Sequence, residues 1–144
     1  MRKGKEVALF AVGLMVDTAE QVEDHLEAKG YSTAVINDRF VKHIDEIVIV
    51  QFGRKVKMMV SLEENTIHGG FGSGVLEILS EKGICVPTLQ IGVPDRFIEQ
   101  GSPEEQRQAA ELSPEQIYTR ILHRLPVPSE KINKKRADMH KIFA

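Results

Sequence analysis

A glycine-rich stretch in the middle of the chain, residues 61–75, constrains the fold more than any other feature. It reads Ser-Leu-Glu-Glu-Asn-Thr-Ile-His-Gly-Gly-Phe-Gly-Ser-Gly-Val, and four of its last seven residues are glycine. An apolar run, residues 56–60, leads into it, and an amphipathic segment, residues 75–82, follows it. This order predicts a buried strand, a tight turn and a helix that packs back on the sheet.

The turn invites the hypothesis of a phosphate site, because the free N–H groups at a helix start favour negative charge. However, no Gly-Lys-Ser/Thr follows Gly69, Gly70 and Gly72, and their spacing is not that of a dinucleotide-binding loop. A structural turn is therefore favoured over a phosphate cradle. Glu63 and Glu64 directly precede the turn and could occupy the positive end of the helix internally.

On a strand, Glu63 and Glu64 should point to opposite faces of the sheet. One carboxylate is then expected to bond the N–H groups of the following helix, while the other faces solvent or a partner. A shared general acid–base role is disfavoured, because it needs both groups at one site. His68, inside the turn, is predicted to be a solvated or interface side chain rather than a ligand contact. The chain thus offers candidate loop and interface residues but no convincing catalytic set.

Composition limits the class of protein. With 144 residues, 42% of them hydrophobic, the chain is long enough for one domain with a real core. A net charge of -2 means that the chain has no overall excess of positive charge with which to bind nucleic acid or a membrane surface. The scattered histidines have no metal-ligand spacing, and the single Cys85 is expected to be a small buried apolar residue of a strand. One cysteine and no apolar run of membrane-spanning length predict a cytoplasmic protein.

Strand-like and helix-like segments alternate along the chain. Apolar, β-prone runs occur at residues 6–13, 31–36, 56–62 and 84–91, and Asp17 is expected to cap the first helix. Residues 44–52 are ambiguous: their β-branched side chains favour a strand, whereas Asp45 and Glu46 are typical of a helix start. The pattern predicts an α/β three-layer domain with a mainly parallel (mixed) sheet of about five strands flanked by helices.

Two helices in the last third of the domain are predicted to begin with the same capping motif. Ser102 and Ser113 are each followed by proline, with Glu105 or Gln116 at the third helical position, which predicts two capping boxes. The domain is expected to span residues 1–125, followed by a basic tail at residues 126–144. In parallel sheets ligand sites lie beyond the carboxyl ends of strands. The glycine-rich turn and the loop containing Asp95 and Arg96 are the candidates there.

Four blocks of sequence, residues 7–16, 39–42, 62–75 and 86–105, together resemble the C-terminal domain of 1-deoxy-D-xylulose-5-phosphate synthases. These are thiamine-diphosphate enzymes of the transketolase group. The last block, which includes Val-Pro-Asp-Arg-Phe-Ile-Glu-Gln-Gly, separates the synthases from other members of that group. The resemblance covers roughly residues 5–125, implies a transketolase C-terminal fold, and favours a helix rather than a strand at residues 44–52.

The resemblance implies a transferase that joins pyruvate and glyceraldehyde 3-phosphate to give 1-deoxy-D-xylulose 5-phosphate and CO2, for isoprenoid and thiamine biosynthesis. Thiamine diphosphate and Mg2+ are the implied cofactors, held by domains that this sequence lacks, and the partners are those domains and a second subunit of a homodimer. No catalytic residue carries over, so the chain is expected to be inactive by itself. Two alternatives stay open: one chain of a split enzyme, or a free-standing module that binds a phosphorylated metabolite.

Overall fold

The computed structural model of the protein describes residues 4–39, 44–125, 138–139 and 141–142. Strands and helices alternate along the described part of the chain, and two helices follow the last strand. The strands are β1 (Val7–Ala11), β2 (Thr33–Asn37), β3 (Met58–Thr66) and β4 (Thr88–Val93). The helices are α1 (Met15–Ala28), α2 (Glu46–Gly53), α3 (Phe71–Glu81), α4 (Pro103–Ala109) and α5 (Pro114–Leu122).

The strands form one sheet of order β2-β1-β3-β4 in which every neighbouring pair is parallel. Strand β1 is apolar on both faces, and the first part of β3, as far as Leu62, is apolar except for Ser61, as expected for strands that helices cover on each side. All five residues of β1 are buried. The predicted α/β domain with a parallel sheet flanked by helices is therefore confirmed. The carboxyl ends of β3 and β4 lie at one edge, so the glycine-rich turn and the loop after β4 emerge side by side.

Two separate apolar cores sandwich the sheet. On one face, α1 and α5 pack against alternate residues of β1, β3 and β4. On the other face, α2 and α3 pack against the strand residues that point away from the first core. Phe10 of β1 lies in this second core, and its ring meets that of Phe52 edge to face at a centroid distance of 5.8 Å. The strict alternation fixes the sheet register, since a shift of one residue would exchange the two cores.

The ambiguous segment is a helix, as the resemblance indicated and contrary to its β propensity. The carboxylate of Asp45 accepts hydrogen bonds from the backbone N–H groups of Ile47 and Val48, and so caps α2. Ile49 is fully buried against the sheet, whereas Ile47 is 70% exposed. Packing of one face and a good cap thus outweigh the preference of β-branched residues for strands. The described residues consequently form four strands rather than about five.

Two local predictions are wrong. Helix α1 begins at Met15 after Leu14, with no side-chain cap, so Asp17 lies within the first turn instead of preceding it. It still favours the helix there through its charge at the positive end. Cys85 is exposed, because it precedes β4, which begins only at Thr88 after the proline.

Both late capping boxes are confirmed. Ser102 and Ser113 each accept from the N–H group at the third helical position, and the Glu105 and Gln116 side chains bond back to the capping residues. The predicted basic tail lies outside the described residues, apart from four positions, and of these Ile142 is 74% exposed. The boundary expected at residue 125 stays a prediction. None of the helices described is long and apolar enough to cross a membrane.

Candidate functional site

The buried side chain of Glu63 binds the backbone at the end of the glycine-rich turn. Its carboxylate is buried, with the residue only 2% exposed, at the position where β3 approaches the start of α3. One carboxylate oxygen, Oε2, accepts a hydrogen bond from the backbone N–H of Phe71 at 2.8 Å. The other, Oε1, accepts from the backbone N–H of Gly72 at 2.9 Å. The negative charge therefore sits on the positive end of the helix and satisfies two N–H groups that the helix leaves free.

The glycines of the turn make room for that carboxylate. Gly69 has φ +72°, a conformation that a side chain disfavours. A Cβ on Gly70 would collide with the Glu63 carboxylate and lie 2.5 Å from the carbonyl oxygen of Thr66. A Cβ on Gly72 would collide with the Ser61 hydroxyl. The glycine pattern that suggested a phosphate cradle is accounted for by the close approach of the turn to an internal carboxylate.

Ser61 and Gln90 lie beneath the same helix start. They are partners in the register of β3 and β4. The Ser61 Oγ and the Gln90 Nε2 are buried and have no hydrogen-bond partner among the described residues. Sequence patterning did not single out either residue, because a polar residue inside a buried strand is visible only once the helix above it is placed.

Glu64 points away from this arrangement, as strand alternation predicted. Its carboxylate lies 3.4 Å from the Nε of Arg107 on α4, and the two side chains are 39% and 45% exposed. An ion pair this open contributes less than about 1 kcal/mol to stability. Arg107 was not predicted as a site residue, since nothing in its local sequence distinguishes it from any helix-surface arginine.

Arg96 holds the loop after β4 against the end of α4. Its guanidinium Nη2 donates to the backbone carbonyl of Ala109 at 2.6 Å and lies 3.7 Å from the carboxylate of Glu111. Asp95 is exposed, as is His68 in the glycine-rich turn. The candidate residues thus fall into two groups: Glu63 and the glycines form one buried unit, whereas the others are spread over the loops of the carboxyl edge.

A cleft of about 380 Å³ lies between this edge of the sheet and α4. Its apolar lining includes Val93, Ile98, Ala110 and Leu112, and Glu64 and Arg107 line it as well. Helix α4 covers one side of the cleft but has no buried residue of its own. The cleft could not be found from sequence, because its walls come from strand ends, a loop and a helix far apart in the chain.

The described residues contain no cluster that could hold a metal ion, and the anion site of the glycine-rich turn is already occupied by Glu63. No group of three histidine, cysteine, aspartate or glutamate side chains within residues 4–39 and 44–125 is arranged to hold a cation. The N–H groups of Phe71 and Gly72, the natural anion site of the glycine-rich turn, already bond Glu63. These residues therefore do not fit the thiamine diphosphate and Mg2+ that the family resemblance implied.

Comparison with known proteins identifies the domain. The family model described as "Transketolase, C-terminal domain" matches residues 1–117. The 1-deoxy-D-xylulose-5-phosphate synthase of Thermosynechococcus vestitus is 42% identical over 128 residues, which is 89% of this chain and 20% of that enzyme. The same synthase of Acaryochloris marina is 39% identical over 132 residues, 90% of this chain and 21% of that enzyme. The chain thus spans about one fifth of the length of these relatives.

Among solved structures, a split-gene transketolase in the form of an inactive β4 tetramer superposes with a TM-score of 0.77 and 29% identity. The match covers 88% of this chain and 40% of that one. The resemblance that the four sequence blocks indicated is therefore confirmed, both in fold and in its similarity to the synthases. From the family model, which accounts for residues 1–117, we conclude that this chain belongs to the transketolase C-terminal domain family.

Proposed function

We propose that the chain serves as the C-terminal domain of a thiamine-diphosphate-dependent 1-deoxy-D-xylulose-5-phosphate synthase. In this proposal the complete enzyme joins pyruvate to glyceraldehyde 3-phosphate and releases CO2. The domain itself does no chemistry: it is a scaffold that supports the cofactor-binding parts and contributes to subunit contacts. A cytoplasmic location goes with this proposal.

The observation that carries the scaffold role is the buried Glu63 carboxylate on the start of α3. In a parallel sheet the carboxyl edge is where ligands usually bind. Here the most favourable anion site on that edge is filled by the chain's own side chain, so the turn is a fixed structural unit. This geometry argues against the alternative of a module that binds a phosphorylated metabolite in the glycine-rich turn.

The cofactor has to be bound elsewhere in the assembly under this proposal. Thiamine diphosphate is held partly through a cation, and no cluster in the described part of the chain could hold one. The two N–H groups at the start of α3 that could donate to a phosphate are already bonded to Glu63. The exposed residues of the carboxyl edge, Glu64, His68, Asp95 and Arg96, are instead proposed to contact the neighbouring domains or subunit. Their exposure leaves them available for such contacts.

The test is an activity assay with a divided enzyme. The relative from Thermosynechococcus vestitus is produced without the final fifth that this chain matches, and is then assayed by itself, mixed with this chain, and fused to it. We expect no product from this chain by itself, and restored product formation from the fusion. Product from the isolated chain, or a correctly dimeric fusion without activity, would contradict the proposal. The same fusion carrying Glu63→Ala serves as a control that disturbs the domain without touching any cofactor site.

A second candidate is one chain of a split enzyme, and the solved structure of a split-gene transketolase favours it. Such a chain would act only with a partner that carries the cofactor-binding domains. Two measurements separate the candidates. An open reading frame that continues upstream of Met1 into a Gly-Asp-Gly motif, which the family resemblance associates with the metal site of the cofactor-binding domain, supports a single long enzyme. A stop codon there, together with co-purification of a thiamine-diphosphate-binding chain, supports the split form.

A further inference from the structure

Two large apolar side chains near the end of the chain are exposed to solvent. Met139 is 56% exposed and Ile142 is 74% exposed, and both lie in helical backbone. Side chains three positions apart in a helix lie on the same face. The family model ends at residue 117, well before this pair. The exposed apolar pair is therefore a feature of this chain that membership of the family does not explain.

The sequence around this pair is basic. Residues 126–144 contain five lysine or arginine residues and two aspartate or glutamate residues. Four of the five basic residues lie between positions 131 and 136, directly before the pair. A segment with an apolar face and an excess of positive charge is suited to a groove that is apolar inside and acidic around its edge.

The cleft beside α4 has both properties. Apolar side chains form most of its lining, namely Val93, Ile98, Pro103, Ala110 and Leu112. Residues 93–115, which run from the end of β4 to the first turn of α5, contain six acidic and only two basic side chains. Each of these two arginines already has a carboxylate nearby. Arg107 lies 3.4 Å from Glu64, and Arg96 lies 3.7 Å from Glu111. The edge of the cleft thus keeps an excess of negative charge.

The tail begins close to this cleft. Helix α5 packs on the same face of the sheet as the residues that line the cleft. Its first turn is bonded to α4, because the Gln116 Nε2 donates to the Gln108 carbonyl at 3.2 Å. The nine residues of α5 extend about 14 Å from that point. Residues 126–138 can span up to about 45 Å, so the apolar pair is able to reach the cleft.

We infer that the C-terminal tail folds back on its own domain: Met139 and Ile142 cover the cleft beside α4, and the basic residues 131–136 lie over its acidic edge. Because tail and cleft belong to one chain, their effective concentration is on the order of millimolar, so a weak contact is enough. The inference goes beyond the proposed function. A neighbouring domain that binds this edge has to displace the tail, which lowers its affinity.

Paramagnetic relaxation, measured by NMR on the full 144-residue chain, tests the inference. The exposed Cys85 is replaced by serine, and Ala144→Cys carries a nitroxide label. We expect the label to broaden the amide signals of the residues that line the cleft more than those of α2 and α3. Met139→Ser combined with Ile142→Ser should lower the ratio of docked to free tail by at least about tenfold. Ile47→Ser is the matched control, since Ile47 is 70% exposed on α2 at the other face of the sheet.

Charge reversal tests the acidic edge. Glu99 is exposed and follows Ile98 of the cleft, so Glu99→Lys should lower the same ratio by about two- to fivefold. Glu77→Lys, at an exposed position of α3, should leave it unchanged.

A mixture of spin-labelled chain with isotope-labelled chain that carries no spin label separates contacts within one chain from contacts between chains. We expect no broadening of the cleft signals in that mixture. Broadening there would assign the cleft to a second copy and overturn the inference. So would a label that broadens all helices alike, a serine double variant that docks as the wild type does, or equal effects of Glu99→Lys and Glu77→Lys.

Discussion

The Glu63 carboxylate and the Gly72 backbone are joined by a 2.9 Å hydrogen bond between the end of β3 and the first turn of α3. A second bond, to the N–H of Phe71, makes the carboxylate bidentate. Both bonds lie at a buried position, where an unpaired charge would be costly and a paired one is held firmly. The glycine-rich turn is thus organised by an internal anion.

Replacing Glu63 by glutamine should destabilise the domain by about 1–3 kcal/mol. The neutral amide offers one acceptor oxygen in place of two and loses the favourable interaction of the charge with the helix start. Glu64→Gln is the control, because that side chain faces the solvent-exposed Arg107, and its change should stay within about 0.5 kcal/mol. Urea unfolding followed by circular dichroism measures both. Equal losses for the two variants would show that the Glu63 bonds contribute little to stability.

How well each contact could be predicted from the sequence depends on how many residues separate its two partners along the chain. The capping boxes at Ser102 and Ser113 involve residues three positions apart, and the pattern identified both. Strand alternation similarly separated Glu63 from Glu64. Residues 46–53 form a helix although their β-branched side chains favour a strand. The burial of Ile49 in one of the two cores decides this conformation, and that core is assembled from elements that are distant in the sequence. Only the family resemblance carried this information.

The errors have the same origin. Asp17 has the residue type of a helix cap, but α1 starts earlier at Met15, a fully packed residue of the core. The cleft beside α4 and the Glu64–Arg107 ion pair join segments that no local pattern connects. Gly92 is a further case: a Cβ there would lie 2.8 Å from the Asn65 carbonyl oxygen. That contact exists only because β4 pairs with β3.

Gly72→Ala should destabilise the domain by about 1–3 kcal/mol through overpacking. The added methyl group would meet the Ser61 hydroxyl and the Gln90 amide nitrogen, the latter at 2.8 Å, under a helix held in place by Glu63. Gly74→Ala is the matched control in the same helix. Its methyl group meets only the flexible end of Ile44, and alanine favours a helix over glycine by about 0.5–1 kcal/mol, so we expect little net change.

A double-mutant cycle of Gly72→Ala and Ser61→Ala tests whether collision with the Ser61 hydroxyl causes the loss of stability expected for Gly72→Ala. The Ser61 hydroxyl has no hydrogen-bond partner among the described residues, so its removal should cost little by itself. It should also relieve part of the collision, which makes the double variant more stable than the sum of the single changes. Thermal unfolding of the four proteins provides the cycle. If the stability changes of the two single variants simply add, the added methyl group does not collide with the Ser61 hydroxyl.

Tyr31 should make the protein sensitive to alkali. Burial raises the pKa of the Tyr31 phenol above its ordinary value of 10.0, and the nearby Glu6 carboxylate and Tyr118 add to the effect. The folded state then keeps the proton at a pH where the unfolded state loses it. The associated stability is fully present below pH 10.0 and is lost as the pH rises through the folded pKa.

The measurement for Tyr31 is the fall in unfolding free energy between pH 8 and pH 11. Tyr31→Phe should show a smaller fall than the wild-type protein, because phenylalanine has no proton to lose. Comparing the two pH values within each protein removes any constant cost of deleting the hydroxyl group. Identical slopes for the two proteins would place the alkaline loss on other groups.

The two capping boxes should differ in what they stabilise. Helix α5 buries Ile117 and Ile121, so Ser113→Ala should lower global stability by about 0.5–2 kcal/mol. Helix α4 has no buried residue, so Ser102→Ala should leave the unfolding midpoint nearly unchanged and increase amide exchange within residues 103–109 only.

Glu105 adds a pH dependence to α4. Its hydrogen bonds with Ser102 lower the pKa of the Glu105 carboxyl below its ordinary value of 4.5. Protection of α4 should therefore be complete above pH 4.5 and decrease as the pH falls through the folded pKa, whereas Glu105→Gln should flatten this dependence. Hydrogen exchange between pH 3 and pH 6 reports it, with α5 as the internal reference, because Gln116 occupies the equivalent position there and does not titrate. A wild-type profile that is flat in α4 would remove Glu105 from the cap.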